Sequence, residues 1–212
     1  MLDGNPTMTT RWVLASNNAK KLVELQALLA PIGAELITQG SLDITEAEEP
    51  HLTFIENALA KARHAARASG LPALADDSGL CVDALGGAPG VLSARYATLF
   101  GAPNAPKSDV DNNRVLLEHM AEHNDRRAHF LCALVAVRHA DDPEPLVAMG
   151  RWRGELLRQY RGSGGFGYDP LMFIPAFGQT VAELSAEIKN QHSHRSIAAA
   201  DLLQQIQTLW RV

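Results

Sequence analysis

Three short stretches of this 212-residue chain concentrate side chains suited to phosphate and nucleobase chemistry. The first is Ser16-Asn17-Asn18-Ala19-Lys20-Lys21, set between an apolar run and a helical pattern. A hydroxyl, amides and ammonium groups meet the N–H groups of a helix start there, and such a set can cradle phosphate oxygens. An ordinary N-cap with solvated lysines is the alternative. The second is Asp76-Asp77-Ser78-Gly79, at the expected carboxyl end of a short strand. Adjacent carboxylates repel unless a cation or several donors compensate. Mg²⁺ prefers such hard oxygens and keeps several waters, one of which can act as nucleophile. Here the alternative is an Asx-type turn. The third is Gly165-Phe166-Gly167-Tyr168-Asp169 with Lys189, His194 and Arg195. A ring flanked by glycines can lie flat against a base, or it can be a core Phe in a glycine-rich turn.

Other patterns fail on context. Gly162-Ser163-Gly164-Gly165-Phe166-Gly167 satisfies GxGxxG, but an apolar strand pattern follows where a dinucleotide site needs a helix. No Gly-Lys-Ser/Thr of a Walker A loop occurs. His119 and His123 stand at i and i+4 without a clear third ligand, which favours a solvated helix face over zinc. His192 and His194 form an HxH pair, but Lys189 and Arg195 around it favour an anion.

The elements that must position these residues follow from periodicity. Residues 11–16 read as a first strand, 17–20 as a polar turn and 21–30 as a helix with Leu22, Leu25, Leu28 and Leu29 at helical spacing. Pro31 and Gly33 end it, and residues 35–38 form a second strand before an acidic loop at 43–49. Thr53 and Glu56 form a capping-box pattern for a helix ending at Gly70, buried through Ile55, Ala58, Leu59, Ala62, Ala65 and Ala66. Residues 72–75 form a short strand running into Asp76. A helix is expected over 110–119, and strands over 128–137 and 146–152 are joined through a turn at 139–145. A glycine-rich loop at 162–167 leads to a strand at 171–174. Two helices close the chain, the second burying Ala199, Leu202, Leu203, Ile206 and Trp210.

Length and composition set the outer limits. A hydrophobic share of 46% is enough for a full core. The expectation is one α/β or α+β domain over residues 11–212 behind a polar tail at 1–10, with Met8 an equally good start. A net charge of −5 argues against a duplex nucleic-acid binder, though not against a small polyanion held by a local cation cluster. The tail lacks a signal peptide's apolar stretch. The longest apolar run, 131–137, is too short to cross a bilayer. Cys81 and Cys132, in apolar surroundings without CxxC spacing, read as reduced core residues of a cytoplasmic protein, with a single disulfide as the alternative.

Taken together and in order, the segments resemble the inosine triphosphate pyrophosphatase family. The resemblance rests on SNNAKK (16–21), TFIENALAKA (53–62), ADDSGLCVDALGGAPGVLSARYA (75–97), GGFGYDPLMF (164–173), AELS (182–185) and the Lys189…Ser193-His194-Arg195 ending. It implies an elongated mixed α/β fold with flanking helices and two lobes around a central cleft, a homodimer, and Mg²⁺-dependent cleavage between the α and β phosphates. Carried onto this chain, it implies that Ser16, Asn17, Asn18, Ala19, Lys20 and Lys21 hold the triphosphate, with Lys21 the key cation. Asp77 is then a metal ligand and the general base, Ser78 touches substrate, and Glu49 or Glu48 completes the metal site. Phe166, Gly167, Tyr168, Asp169, Lys189, His194 and Arg195 read the base and nearby phosphates. Asn57 and Lys61, one helical turn apart, either support the phosphate site or form a polar helix flank. Where Lys20 stands the family often has Gly, which bears on loop geometry.

The implied selectivity has a physical form. Hypoxanthine and xanthine present a 6-keto acceptor and an N1–H donor, whereas adenine reverses both. A carboxylate at Asp169 and cationic donors at His194 or Arg195 match the first pair, and each mismatch costs on the order of 1–3 kcal/mol. Two other readings stand beside this one: a Maf-type nucleotide pyrophosphatase, disfavoured by the FGYD and SHR segments, and a non-catalytic nucleotide-binding protein, disfavoured by Asp77 and the acidic loop.

Overall fold

The computed structural model describes residues 11–101 and 108–210. The expectations for the tail at 1–10, including the start at Met8, and for the packing of Leu28 lie outside the described residues. In chain order the elements are β1 (Arg11–Leu14), α1 (Ala19–Leu29), β2 (Glu35–Thr38), α2 (Phe54–Ser69), β3 (Ala73–Val82), α3 (Tyr96–Phe100), α4 (Asp109–His119), β4 (Arg127–Val137), β5 (Leu146–Leu156), β6 (Met172–Ile174), β7 (Gln179–Thr180), α5 (Ala186–His192) and α6 (His194–Gln205). One mixed sheet takes the order β2-β1-β3-β4-β5-β6-β7, with helices flanking it. β1 is parallel to both β2 and β3, and β6 is antiparallel to β5 and β7.

The described residues divide into two compact units, the first made of residues 11–76, 133–148 and 198–210 and the second of 77–101, 108–132 and 149–197. In the first unit, parallel pairing of β1 with β2 and β3 needs crossover connections, and α1 and α2 supply them. α2 buries Ala58, Ala62, Ala65 and Ala66 in one cluster with Val13, Ala73, Ala75, Val135 and Val137. The small alanine face lets the helix lie close to β-branched strand residues. Thr53 caps α2 by accepting from Glu56 N at 3.2 Å, and Gly70 ends it at φ 71° with its N–H on Ala66 O. The turn between β4 and β5 closes around Asp142, whose fully buried side chain accepts from Arg138 N and from its guanidinium at 2.9 and 2.7 Å. That pairing holds the Asp142 carboxyl well below the usual range.

The second unit has its own core. Leu80, Val82, Tyr96, Val115, Leu116, Met120, Trp152, Tyr168 and Leu171 form one buried cluster. Asn112 Oδ1 accepts from Ala97 N at 2.8 Å and so ties α4 to α3 inside it.

Several expectations are corrected. The strand expected over 72–75 runs through Asp76-Asp77-Ser78-Gly79 to Val82, so this segment is neither a turn nor a strand end. β5 continues past Trp152 to Leu156, because Gly154 passes where a Cβ would strike the Phe173 carbonyl of β6. α1 begins at Ala19, which places Lys20 inside a helix and not in a turn. α3 was not foreseen. Leu203 and Trp210 are only partly buried, whereas Ala199, Leu202 and Ile206 are fully so. Cys81 and Cys132 are buried free thiols. Among the described residues, no helix is long and apolar enough to cross a membrane.

Candidate active site

In the first unit the charged groups come from three regular elements and the loop before α2. Asn18 is the N-cap of α1, its Oδ1 accepting from Lys20 N at 2.9 Å and Lys21 N at 3.3 Å. Those two backbone donors are therefore already satisfied within the cap. Ser16 Oγ accepts from Asn18 N at 3.2 Å. Asn17 accepts from Gly40 N at 2.8 Å and donates to Glu46 at 3.3 Å. Gly40 has no room for a side chain, since its Cβ would stand 2.5 Å from Asn17 Oδ1. Nothing in the sequence pattern pointed to Gly40, and only the close approach reveals it. Lys20 is exposed.

Lys21 Nζ forms an ion pair with Asp76, whose side chain has no exposed surface. An ammonium has three donors, and the Lys21 side chain keeps 21% exposure. The buried partner therefore fixes the position of a part-buried cation that keeps donors beyond this pair. Since successive side chains of a strand alternate faces, Asp76 and Asp77 do not form the side-by-side pair that their adjacency suggested. Asp76 answers Lys21, while Asp77, 7% exposed, and half-buried Ser78 follow it in β3 and belong to the second unit.

Asn57 and Lys61 of α2 hold the acidic loop. Buried Asn57 accepts from His51 N at 3.0 Å and donates to His51 O at 3.2 Å. Lys61 Nζ lies 2.6 Å from Glu49 Oε1. Glu49 is half-buried, while Glu48 is exposed. The polar side of α2 is thus a mount for the loop that carries Glu49. Among the described residues no group of three or more His, Cys, Asp or Glu could hold a metal. Mg²⁺ commonly takes only one or two carboxylates and completes its shell with water and substrate phosphates.

The second unit carries the glycine-rich loop. Gly165 and Gly167, at φ 81° and 59°, flank Phe166, whose ring is 46% exposed. A Cβ at Gly165 would run into the Asp169 carboxylate and Lys189 Nζ. Asp169 Oδ2 accepts from Phe166 N at 3.2 Å and from Lys189 Nζ at 3.3 Å. Burial raises the Asp169 carboxyl above its ordinary value, against the opposing pull of Lys189 and Arg195. Tyr168 belongs to the core instead: it is 4% exposed and donates its hydroxyl to Ser93 O at 2.8 Å. Its side chain is spent on packing. His194 stacks on Phe130 at 5.1 Å, and Arg195 is 5% exposed. No helix follows the GxGxxG pattern, whose residues lead through a turn into β6. His119 accounts for itself by pairing Nδ1 with Tyr96 Oη at 2.7 Å.

The sequence and fold have clear relatives. Residues 12–205 match the Ham1 family. A dITP/XTP pyrophosphatase of Leptothrix cholodnii is 64% identical over 95% of this chain and 99% of its own length. One from Methylibium petroleiphilum is 61% identical over 94% and 99%. The structure of a HAM1 protein from Coxiella burnetii superposes with a TM-score of 0.85 at 44% identity, covering 92% of this chain and 97% of that one.

Proposed function

The chain belongs to the Ham1 family, and from that premise we propose that it hydrolyses non-standard purine nucleoside triphosphates, dITP, ITP and XTP, to the monophosphate and pyrophosphate. The observation that carries this reading is Lys21, a part-buried ammonium fixed by a fully buried carboxylate, one residue before Asp77 in the same strand.

Lys21, with Ser16 and Asn17 beside it, takes the triphosphate oxygens, and neutralising that charge opens phosphorus to attack. Asp77 accepts a proton from water as the water oxygen bonds the α phosphorus. The bond from the α phosphorus to the α–β bridging oxygen breaks, and that oxygen leaves with pyrophosphate. Asp77 and Glu49 are the residues that would hold Mg²⁺. Bound there, the ion would supply further charge neutralisation to the phosphates. Phe166 covers the base. Asp169 accepts from N1–H of a 6-keto purine while Arg195 or His194 donates to O6, which disfavours adenine. The protein is proposed to work in the cytoplasm as a homodimer.

Incubation with Mg²⁺ and, separately, dITP, XTP, dGTP and ATP tests the reading. Pyrophosphate with dIMP or XMP is expected. Stepwise orthophosphate release, or equal rates on ATP, would overturn it.

A further inference from the structure

The loop that presents Phe166 is gripped by a helix far from it in sequence. Asp109 Oδ2 accepts from Gly167 N at 2.7 Å, and Asn113 Nδ2 donates to Gly167 O at 2.9 Å. These residues lie one turn apart on α4, so they share a face. Gly167 N–H belongs to the peptide joining it to Phe166, and Gly167 C=O to the peptide joining it to Tyr168. The helix therefore clasps both peptides around a left-handed glycine, one residue after the exposed ring. α4 is a firm support: Ser108 caps it, Asn112 ties it to α3, and Val115 and Leu116 are wholly buried. Asn113 is 2% exposed, and its Oδ1 has no hydrogen-bond partner. An orphaned buried acceptor works against stability. What the asparagine supplies is the donor to Gly167, since leucine of similar size would avoid the orphan.

We propose that Asp109 and Asn113 are positioning residues for purine recognition, holding the Gly167 backbone so that the Phe166 ring is set in advance against the base. The inference rests on the proposed role of Phe166. The two left-handed glycines bring no side chains of their own to the loop, so contacts from outside it, Asp169 on Phe166 N and the α4 clasp on Gly167, spare binding the cost of ordering it. The clasp acts on the base and not on the phosphates, so it governs KM and selectivity more than turnover.

The test compares steady-state kinetics of Asp109→Ala, Asp109→Asn and Asn113→Leu with the unaltered protein on dITP and ATP. Asp109 is exposed, so its replacement leaves folding intact. Asp109→Ala is expected to raise KM for dITP roughly five- to tenfold, to lower the preference for dITP over ATP, and to change kcat far less. Asp109→Asn keeps an oxygen that accepts from Gly167 N and restores KM. Asn113→Leu raises KM likewise while its thermal midpoint holds or rises. Unchanged KM and selectivity in both Asp109→Ala and Asn113→Leu would overturn the clasp, with the pyrophosphatase reading intact. Failure of the unaltered protein to release pyrophosphate from dITP would overturn both.

Discussion

The residues around Lys21 and those around Phe166 are built on different physical terms. Near Lys21 the groups are charged and each is fixed by an opposite charge from a regular element: Asp76 for Lys21, Lys61 for Glu49. Near Phe166 the working surface is a loop whose backbone bends through left-handed glycines and is held by Asp109, Asn113 and Asp169. A triphosphate asks for charge at roughly the right distance, because Coulomb forces fall off slowly. A base asks for a plane and a hydrogen-bond edge, which tolerate little displacement. The first region should therefore fail through electrostatics and the second through shape.

The sharpest break is at the proposed base. Asp77→Asn is expected to cut kcat by about 10²–10⁴-fold with its thermal midpoint nearly unchanged. Near-normal turnover would remove Asp77 from the chemistry.

Next comes Lys21→Met. It removes the proposed phosphate cation and leaves the Asp76 carboxylate buried without its ammonium, so a stability loss of roughly 3–5 kcal/mol accompanies the expected loss of activity. Adding Asp76→Leu should recover much of the stability in denaturant melts but none of the activity. Joint recovery of both would show that Lys21 serves the fold alone.

Gly165→Ala attacks shape instead. A methyl group there meets Asp169 and Lys189 on a backbone with φ 81°. KM for dITP should rise at least about tenfold, the equivalent of one mispaired buried group, with kcat on saturating substrate much less affected. A kcat loss matching that of Asp77→Asn would erase the contrast between the regions.

The smallest effect is a shift with pH. The Asp169 carboxyl sits above its ordinary value of about 3.9. As pH falls it protonates before an ordinary aspartate does, and the protonated form no longer accepts N1–H as a carboxylate. KM for dITP should therefore climb on mild acidification, and Asp169→Asn should flatten that climb. An identical acid limb in the variant would assign the titration elsewhere.

How legible these regions were in the sequence also differs. α2 was readable from Thr53, Glu56 and the alanine stripe, because capping and periodicity are local. The adjacency of Asp76 and Asp77 misled, since neighbours in sequence become opposite faces once the segment is a strand. The burial of the Tyr168 ring in the core was not legible from its place in a glycine-rich segment. Gly40, Asp109 and Asn113 carried no signal, their roles arising from contacts 23, 58 and 54 residues away.

By itself the sequence determined the order of the main strands and helices and most of the apolar faces, because each depends on neighbours within a few residues. Which carboxylate answers Lys21, what mounts the loop carrying Glu49, and what clasps the Phe166 loop were decided only by the tertiary structure. Those choices depend on which distant side chains the sheet and helices bring within hydrogen-bond range, and chain spacing does not encode that distance.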